Sequence, residues 1–300
     1  MTEQDIQQEK KKPSPFNISD ITLSIKQDLK KGVQQNTSNK NSQMIPDESF
    51  MFTGIEGFDA LLSKGIPKGL NIILEGKSGA GKTIFALQLA IHHAQNKKKC
   101  LFISFEESEE RLINHMETFG WNPKELIEQG YLIIKRYLST DIYYEEDHDS
   151  GNVKAMMARN SDHVTLDLEP FIIGSEGLDP DIIIIDSLTS IASTFQGKEH
   201  NYRFYLERLF RFFEKIGSTN FLIYEPYSNG ALQLETQCER FLSDGIIVLY
   251  NARHGNIREN AIEILKMRGA EHEKKIVAMK ITSEGIKVYP EQEVFGEMEI

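Results

Sequence analysis

Apolar positions in this chain gather into short unbroken runs, separated by stretches in which they recur every three or four residues. Leu70 with Ile72 to Leu74, Cys100 to Phe105, Tyr131 to Tyr137, Thr219 to Tyr224 and Gly245 to Tyr250 are such runs and predict strands. Asp181 to Asp186 is the purest, with consecutive isoleucines closed by an aspartate, and predicts a parallel strand buried on both faces. Helical spacing links Ile84, Leu87, Ile91 and Ala94, then Leu112, Ile113 and Met116 before Gly120 as a stop. It returns in Tyr202, Leu206, Leu209, Phe213 and Ile216, within a helix expected from Asn201 to Ile216. Phe52 to Leu62 reads as a turn and short helix, and Gly65 to Gly69 as a loop into the first strand. Ala261 to Met267, Lys275 to Ile281 and Ile286 to Tyr289 predict a closing β meander.

Strands alternating with helices across short connections describe an α/β fold: a mostly parallel central sheet, helices on both faces, and a C-terminal β meander. Ligand groups in such sheets gather beyond the carboxyl ends of the strands. Residues 1 to 49 depart from the pattern. Rich in Lys, Gln, Asn and Ser, they read as a flexible polar tail with too little apolar surface to order itself. Within it, Ser19-Asp20 would cap a short helix with Ile21, Ile25 and Leu29 on one face, a candidate docking element for a protein partner. Residues 50 to 290 then form the folded domain and residues 291 to 300 a C-terminal tail.

The first strand runs into Gly76, Lys77, Ser78, Gly79, Ala80, Gly81, Lys82 and Thr83, the pattern G-x-x-x-x-G-K-[ST], and continues at Ile84 into a helix. Glycines let backbone N–H groups close around phosphate oxygens, the lysine brings a point charge to the β and γ phosphates, and the hydroxyl ligates Mg²⁺. The stretch predicts a nucleoside triphosphate site, with ATP and Mg²⁺ as its ligands. Thr83 would bind the metal directly and Asp186 would hold it through water. Glu106 and Glu107 are candidates for the carboxylate that activates water; Glu106 comes straight off its strand, whereas Glu107 to Glu110 also suit a helix N-terminus in their own right. Farther on, strand alternation places Ile262, Ile264, Lys266 and Arg268 on one face, with the two cations about 7 Å apart.

Charge narrows the choice of partner. The formal net charge is −11, and residues 1 to 50 hold seven Lys against seven Asp and Glu, leaving 27 basic and 38 acidic residues in the rest. An acidic folded part argues against the phosphate backbone of nucleic acid as the main partner. Tyr, Phe and Arg interleave in the helix from Asn201 to Ile216, but its apolar stripe assigns the aromatic residues to packing rather than base stacking. The acidic run Glu145, Glu146, Asp147 and Asp149, in the weakly patterned stretch from Ser139 to Gly177, reads as a solvated face. Cys100 and Cys238 lack metal or redox spacing and read as buried free thiols. No apolar run approaches the ~20 residues that span a bilayer, and Met1-Thr-Glu-Gln-Asp has no signal core. A cytoplasmic setting is expected.

Taken as a set, Phe52 to Asp59, the phosphate loop, Ser104 to Glu107, Ile185 to Ser190, Phe241 to Leu249 and Lys266 to Gly269 resemble the KaiC-like branch of the RecA-type ATPases over about residues 50 to 290. The resemblance implies a RecA-like core, Mg-dependent ATP hydrolysis, and a ring homo-oligomer, often a hexamer. By it, Glu106 and Glu107 match the paired catalytic glutamates, and Thr282 to Pro290 matches the strand beside the adenine. It also implies that Lys266, Arg268 and His272 reach the ATP of the adjacent subunit. Two departures stand out. The circadian members carry two such domains in tandem, whereas one is present here, and their autophosphorylated Ser-Thr pair corresponds to Arg240 and Phe241. The alternative is a RecA or RadA-type recombination ATPase that binds single-stranded DNA through loops at Ala192 to His200 and Pro226 to Glu235. Those loops hold one lysine against two glutamates, too little charge for that role.

Overall fold

The computed structural model describes residues 48–137, 179–195, 199–226, 238–254, 257–294 and 298–299. They belong to the unit Glu48–Ile300. The expected helix at Ile21, Ile25 and Leu29, the acidic run at Glu145 to Asp149 and much of the two candidate DNA loops lie outside the described residues.

Two short strands, β1 (Phe50–Met51) and β2 (Ile66–Pro67), pair ahead of the main sheet, with a single 3-10 turn at Asp59–Leu61 between them. β3 (Asn71–Glu75) leads to helix α1 (Lys82–Gln95), β4 (Cys100–Ser104), α2 (Glu109–Thr118), α3 (Pro123–Glu128) and β5 (Leu132–Arg136). Next come β6 (Ile182–Asp186), α4 (Leu188–Ser193), α5 (Glu199–Ile216), β7 (Thr219–Tyr224) and α6 (Cys238–Leu242). The chain closes with β8 (Gly245–His254), β9 (Ile257–Met267), β10 (Val277–Thr282), β11 (Gly285–Glu293) and β12 (Met298–Glu299).

The sheet order is β11-β10-β9-β8-β3-β7-β6-β4-β5, with β12 added antiparallel to β8. From β8 to β5 every neighbouring pair is parallel; β8, β9, β10 and β11 are joined antiparallel, as the expected meander requires. Side chains alternate across the pleat. Ile72, Leu74, Phe102 and Ile184 face one core with Phe85, Leu89, Leu112 and Leu126 from α1, α2 and α3. Ile73, Ile103, Ile183 and Ile185 face the other with Leu188, Leu206, Leu209 and Phe213 from α4 and α5. Burial on both faces is why these strands read as continuous apolar runs.

Register sets where chemistry can collect. Glu75 lies opposite Tyr224, and Ser104 opposite Asp186, so the carboxyl ends of β3, β7, β4 and β6 form one rim. The segments leaving that rim carry the phosphate loop, Glu106, Ser187 and Glu225.

Three expectations need adjustment. Helix α3 was not anticipated, although Asn122-Pro123 supplies a start signal, with proline in the first turn where its missing N–H costs nothing. β8 and β9 extend well past Tyr250 and Ala261 as a hairpin. Within β9 the simple alternation fails: Ile264 pairs with Ile247 but Lys266 pairs with Ile246, leaving Leu265 as an extra residue. This β-bulge turns Lys266 to the face opposite Ile262 and Ile264, so those residues do not share a face. Cys100 and Cys238 are buried free thiols, as expected. Among the described residues, no helix is long and apolar enough to cross a membrane.

Candidate functional site

The loop after β3 is shaped by two close approaches. At Gly76 an added Cβ would stand 2.4 Å from the backbone oxygen of Leu249, so the packing of β8 admits only hydrogen there. Gly81 has φ +99°, the left-handed region that turns the chain into α1 at little cost only for glycine. Lys82 follows immediately. Its Nζ donates to the carbonyls of Gly76 (2.6 Å) and Lys77 (2.9 Å), curling the loop around an ammonium that is itself buried.

Thr83 Oγ1 donates to Asp186 Oδ2 at 2.9 Å, joining the first turn of α1 to the end of β6. Burial, reinforced by the neighbouring Glu106 carboxylate, pushes the Asp186 pKa up to about 7, against the opposing pull of the Thr83 hydrogen bond. A hydroxyl and a carboxylate side by side are the hard oxygen donors Mg²⁺ takes when phosphates and water complete its shell. The donor set therefore fits that ion.

Beside this pair stands Glu106. Its Oε1 accepts from Ser187 Oγ at 2.5 Å and Ser190 Oγ at 3.1 Å, while its own N–H and that of Glu107 donate to Ser104 Oγ. Ser104 is fully buried at the end of β4 and fixes the turn from which both glutamates project. Glu107 pairs instead with Arg111 at 3.0 Å, with His115 at 3.6 Å, tying it to α2. Ser108 caps that helix by accepting from Arg111 N, and Glu109 and Glu110 sit in its first turn, so that charge serves the helix end.

These groups enclose a cleft of about 430 Å³. Ser78, Lys82, Thr83, Asp186, Glu106 and Glu107 line its polar part, and Leu87, Phe119, Ile223 and Ile281 its apolar part. Ile84 also lines it. Glu225, one residue beyond β7, closes the far side with its Oε2 3.3 Å from Lys82 Nζ. The rule that singled out Glu106 and Asp186, a carboxylate at the carboxyl end of a parallel strand, applies equally to Glu225, which sequence reasoning passed over. Ser187, Ser190 and Ser104 were also missed; their role emerges only when β4 and β6 are placed side by side.

Lys266, Arg268 and His272 are elsewhere. Met267 pairs with Gly245 at the start of β8, so these residues occupy the amino-terminal edge of the parallel strands. Lys266 Nζ donates to Ser243 O at 2.6 Å and Arg240 O at 3.2 Å, and burial lowers its pKa. Arg268 pairs with Asp244 at 2.9 Å and remains more than half exposed. His272 bridges to Leu62. None of the three lines the cleft of its own chain.

A family model described as "ATPase: KaiC" matches residues 51–293. This chain belongs to the KaiC ATPase family. It is 29% identical over 252 residues to the circadian clock oscillator protein KaiC of Acaryochloris marina, covering 84% of this chain and 46% of that protein. The corresponding protein KaiC 1 of Synechocystis sp. is 30% identical over 241 residues, 79% of this chain and 44% of its own length. The chain thus spans about half the length of the curated relatives it matches. A KaiC-like protein from the hyperthermophilic archaeon Pyrococcus horikoshii OT3 superposes with a TM-score of 0.65 at 26% identity, over 80% of this chain and 99% of that one. The KaiC-like, RecA-type fold expected from the sequence is the observed one.

Proposed function

We propose that this KaiC-family chain binds ATP with Mg²⁺ in the cleft between Gly76 and Glu225 and hydrolyses it to ADP and phosphate. The observation that carries this reading is the convergence of Lys82, the Thr83–Asp186 pair and the serine-held Glu106 on one cleft. The loop from Gly76 to Thr83, continuing to Ile84, wraps the phosphates, and Lys82 meets the charge on their outer oxygens. Thr83 and Asp186 hold the Mg²⁺. When bound, that ion neutralises charge that develops on the phosphoryl oxygens. Glu106, fixed by Ser187 and Ser190, orients water and accepts its proton, with Glu107 beside it.

The cation that hydrolysis needs opposite the transferred group comes, in this reading, from a second copy. Lys266, Arg268 and His272 lie outside their own cleft, and Arg268 is largely exposed, which suits delivery to a neighbour's ATP within a ring. The catalytic unit is residues 50 to 290, and residues 1 to 49 are not needed for turnover. A regulatory or signalling role is the reading that the family relationship suggests.

The test is phosphate release by purified protein in Mg-ATP, alongside nucleotide binding by the Lys82→Ala variant. Turnover in the parent and lost ATP binding in the variant support the proposal. A variant that binds ATP with parental affinity overturns it.

A further inference from the structure

Lys82 carries three N–H donors, and three acceptors already surround them: Gly76 O at 2.6 Å, Lys77 O at 2.9 Å and Glu225 Oε2 at 3.3 Å. The cation placed to receive phosphate is satisfied by its own chain. The two carbonyls belong to the loop and are fixed with it. The third acceptor differs, because it bears a full negative charge and comes from another strand. A phosphate reaching Lys82 must take over a donor and also approach that carboxylate.

The backbone of Glu225 is anchored independently of its side chain. Its N–H donates to Thr189 Oγ1 at 2.8 Å, and Thr189 Oγ1 lies 3.4 Å from Glu225 O as donor. This clasp ties the end of β7 to α4, which starts immediately after Asp186-Ser187. The Glu225 side chain is 43% exposed. It can swing into solvent while β7 and the clasp stay in place.

We propose that Glu225 is a built-in counter-ion for Lys82, displaced only by a ligand whose phosphates extend to the lysine, so that it tempers the affinity of the cleft for di- and triphosphates and leaves that for monophosphates untouched. The inference rests on reading the cleft as a nucleotide site. Held by Glu225, the empty loop keeps its lysine aimed inward without capturing stray small anions. Occupied by a longer phosphate chain, Lys82 exchanges one anionic partner for another and the carboxylate is released. An ion pair whose carboxylate is nearly half exposed is weak enough for such exchange, with a contribution that corresponds to a few-fold in affinity.

The experiment is calorimetric titration of the wild-type chain and Glu225→Gln with AMP, ADP and ATP. Glutamine keeps the size of the side chain and leaves the backbone clasp intact while removing the charge. Glu225→Gln is expected to bind ADP and ATP roughly three- to tenfold more tightly, with AMP affinity unchanged because its phosphate does not reach the lysine. Unchanged AMP binding also shows that the variant is folded. Equal gains for all three nucleotides would mean general charge relief and overturn the inference, as would unchanged or weaker ATP binding. Failure of the wild-type chain to bind any nucleotide would instead overturn the site assignment, and this inference with it.

Discussion

Arg240 of α6 reaches Glu75, a carboxylate with no solvent exposure that stands one residue before the phosphate loop, and holds it through both Nε, at 2.7 Å, and Nη2. The position at which the family resemblance places a phosphorylated residue in circadian members is occupied here by a partly exposed cation that pairs with a buried carboxylate. The backbone oxygen of the same arginine accepts from Lys266. Through α6, the root of the phosphate loop is thus joined to the far edge of the sheet.

Arg240→Ala is expected to destabilise the fold by about 3–5 kcal/mol, because it strands the Glu75 charge in the interior. Replacing both partners, as Arg240→Met with Glu75→Leu, should recover most of the loss. Urea denaturation of the three proteins checks this. Equal stability of the Arg240→Ala variant and its parent would show that the pair carries no weight.

Glu106→Gln is expected to retain ATP binding and to turn over roughly tenfold or more slowly, since the amide cannot accept a proton from water. Glu107→Gln should lose less, because Glu107 is engaged with Arg111 rather than with the serines beside Asp186. Single-turnover phosphate release separates the two. A larger loss in Glu107→Gln would reverse their roles.

Acid stability should depend on His93. Burial, with His92 adjacent, lowers its pKa from 6.5 to about 4, while in the unfolded chain it titrates near the ordinary value. Between those values the unfolded state binds a proton that the folded state refuses. Stability is therefore complete above about pH 6.5 and falls as pH drops toward 4, by on the order of 3 kcal/mol. His93→Phe should flatten this limb in denaturation curves collected from pH 7.5 to 4.5. Parallel curves for the two proteins would assign the acid sensitivity to other groups.

Arg268→Ala is expected to lower turnover roughly tenfold or more while ATP binding survives. Mixing it with Lys82→Ala should restore activity where an intact loop meets an intact arginine. A mixture as inactive as its components, with mixed assemblies demonstrated by light scattering, would refute sharing of the site.

The parallel half of the fold was legible because burial on two faces leaves its mark on every residue of a strand. Ile182 to Ile185 could belong nowhere but the middle of a sheet, and the loop from Gly76 to Thr83 is written in consecutive positions. Contacts between remote residues left no such mark. Arg240 and Glu75, or Glu225 and Lys82, meet only because β7 and β8 flank β3, an order that no local pattern encodes. The bulge at Leu265 was hidden for a related reason: alternation along one strand carries no count of the residues opposite it.

Arg268 stands beside Asp244, whose N–H donates to the carbonyl of Asn71 at the start of β3, while Lys82 stands beyond the end of that strand. If the arginine of one copy serves the loop of another, the two contact patches are different surfaces at opposite edges of the sheet. A two-fold pairing makes every contact twice, so it would have to bring both of these separated surfaces of each copy into one interface. Copies that instead stack head to tail, each turned by the same angle from the last, use each surface once per contact, and the series closes or runs on as a filament. The number of subunits then depends on the tilt between the two edges rather than on the strength of the contact. A substitution that alters this tilt would change the size of the assembly while every pairwise interaction survives.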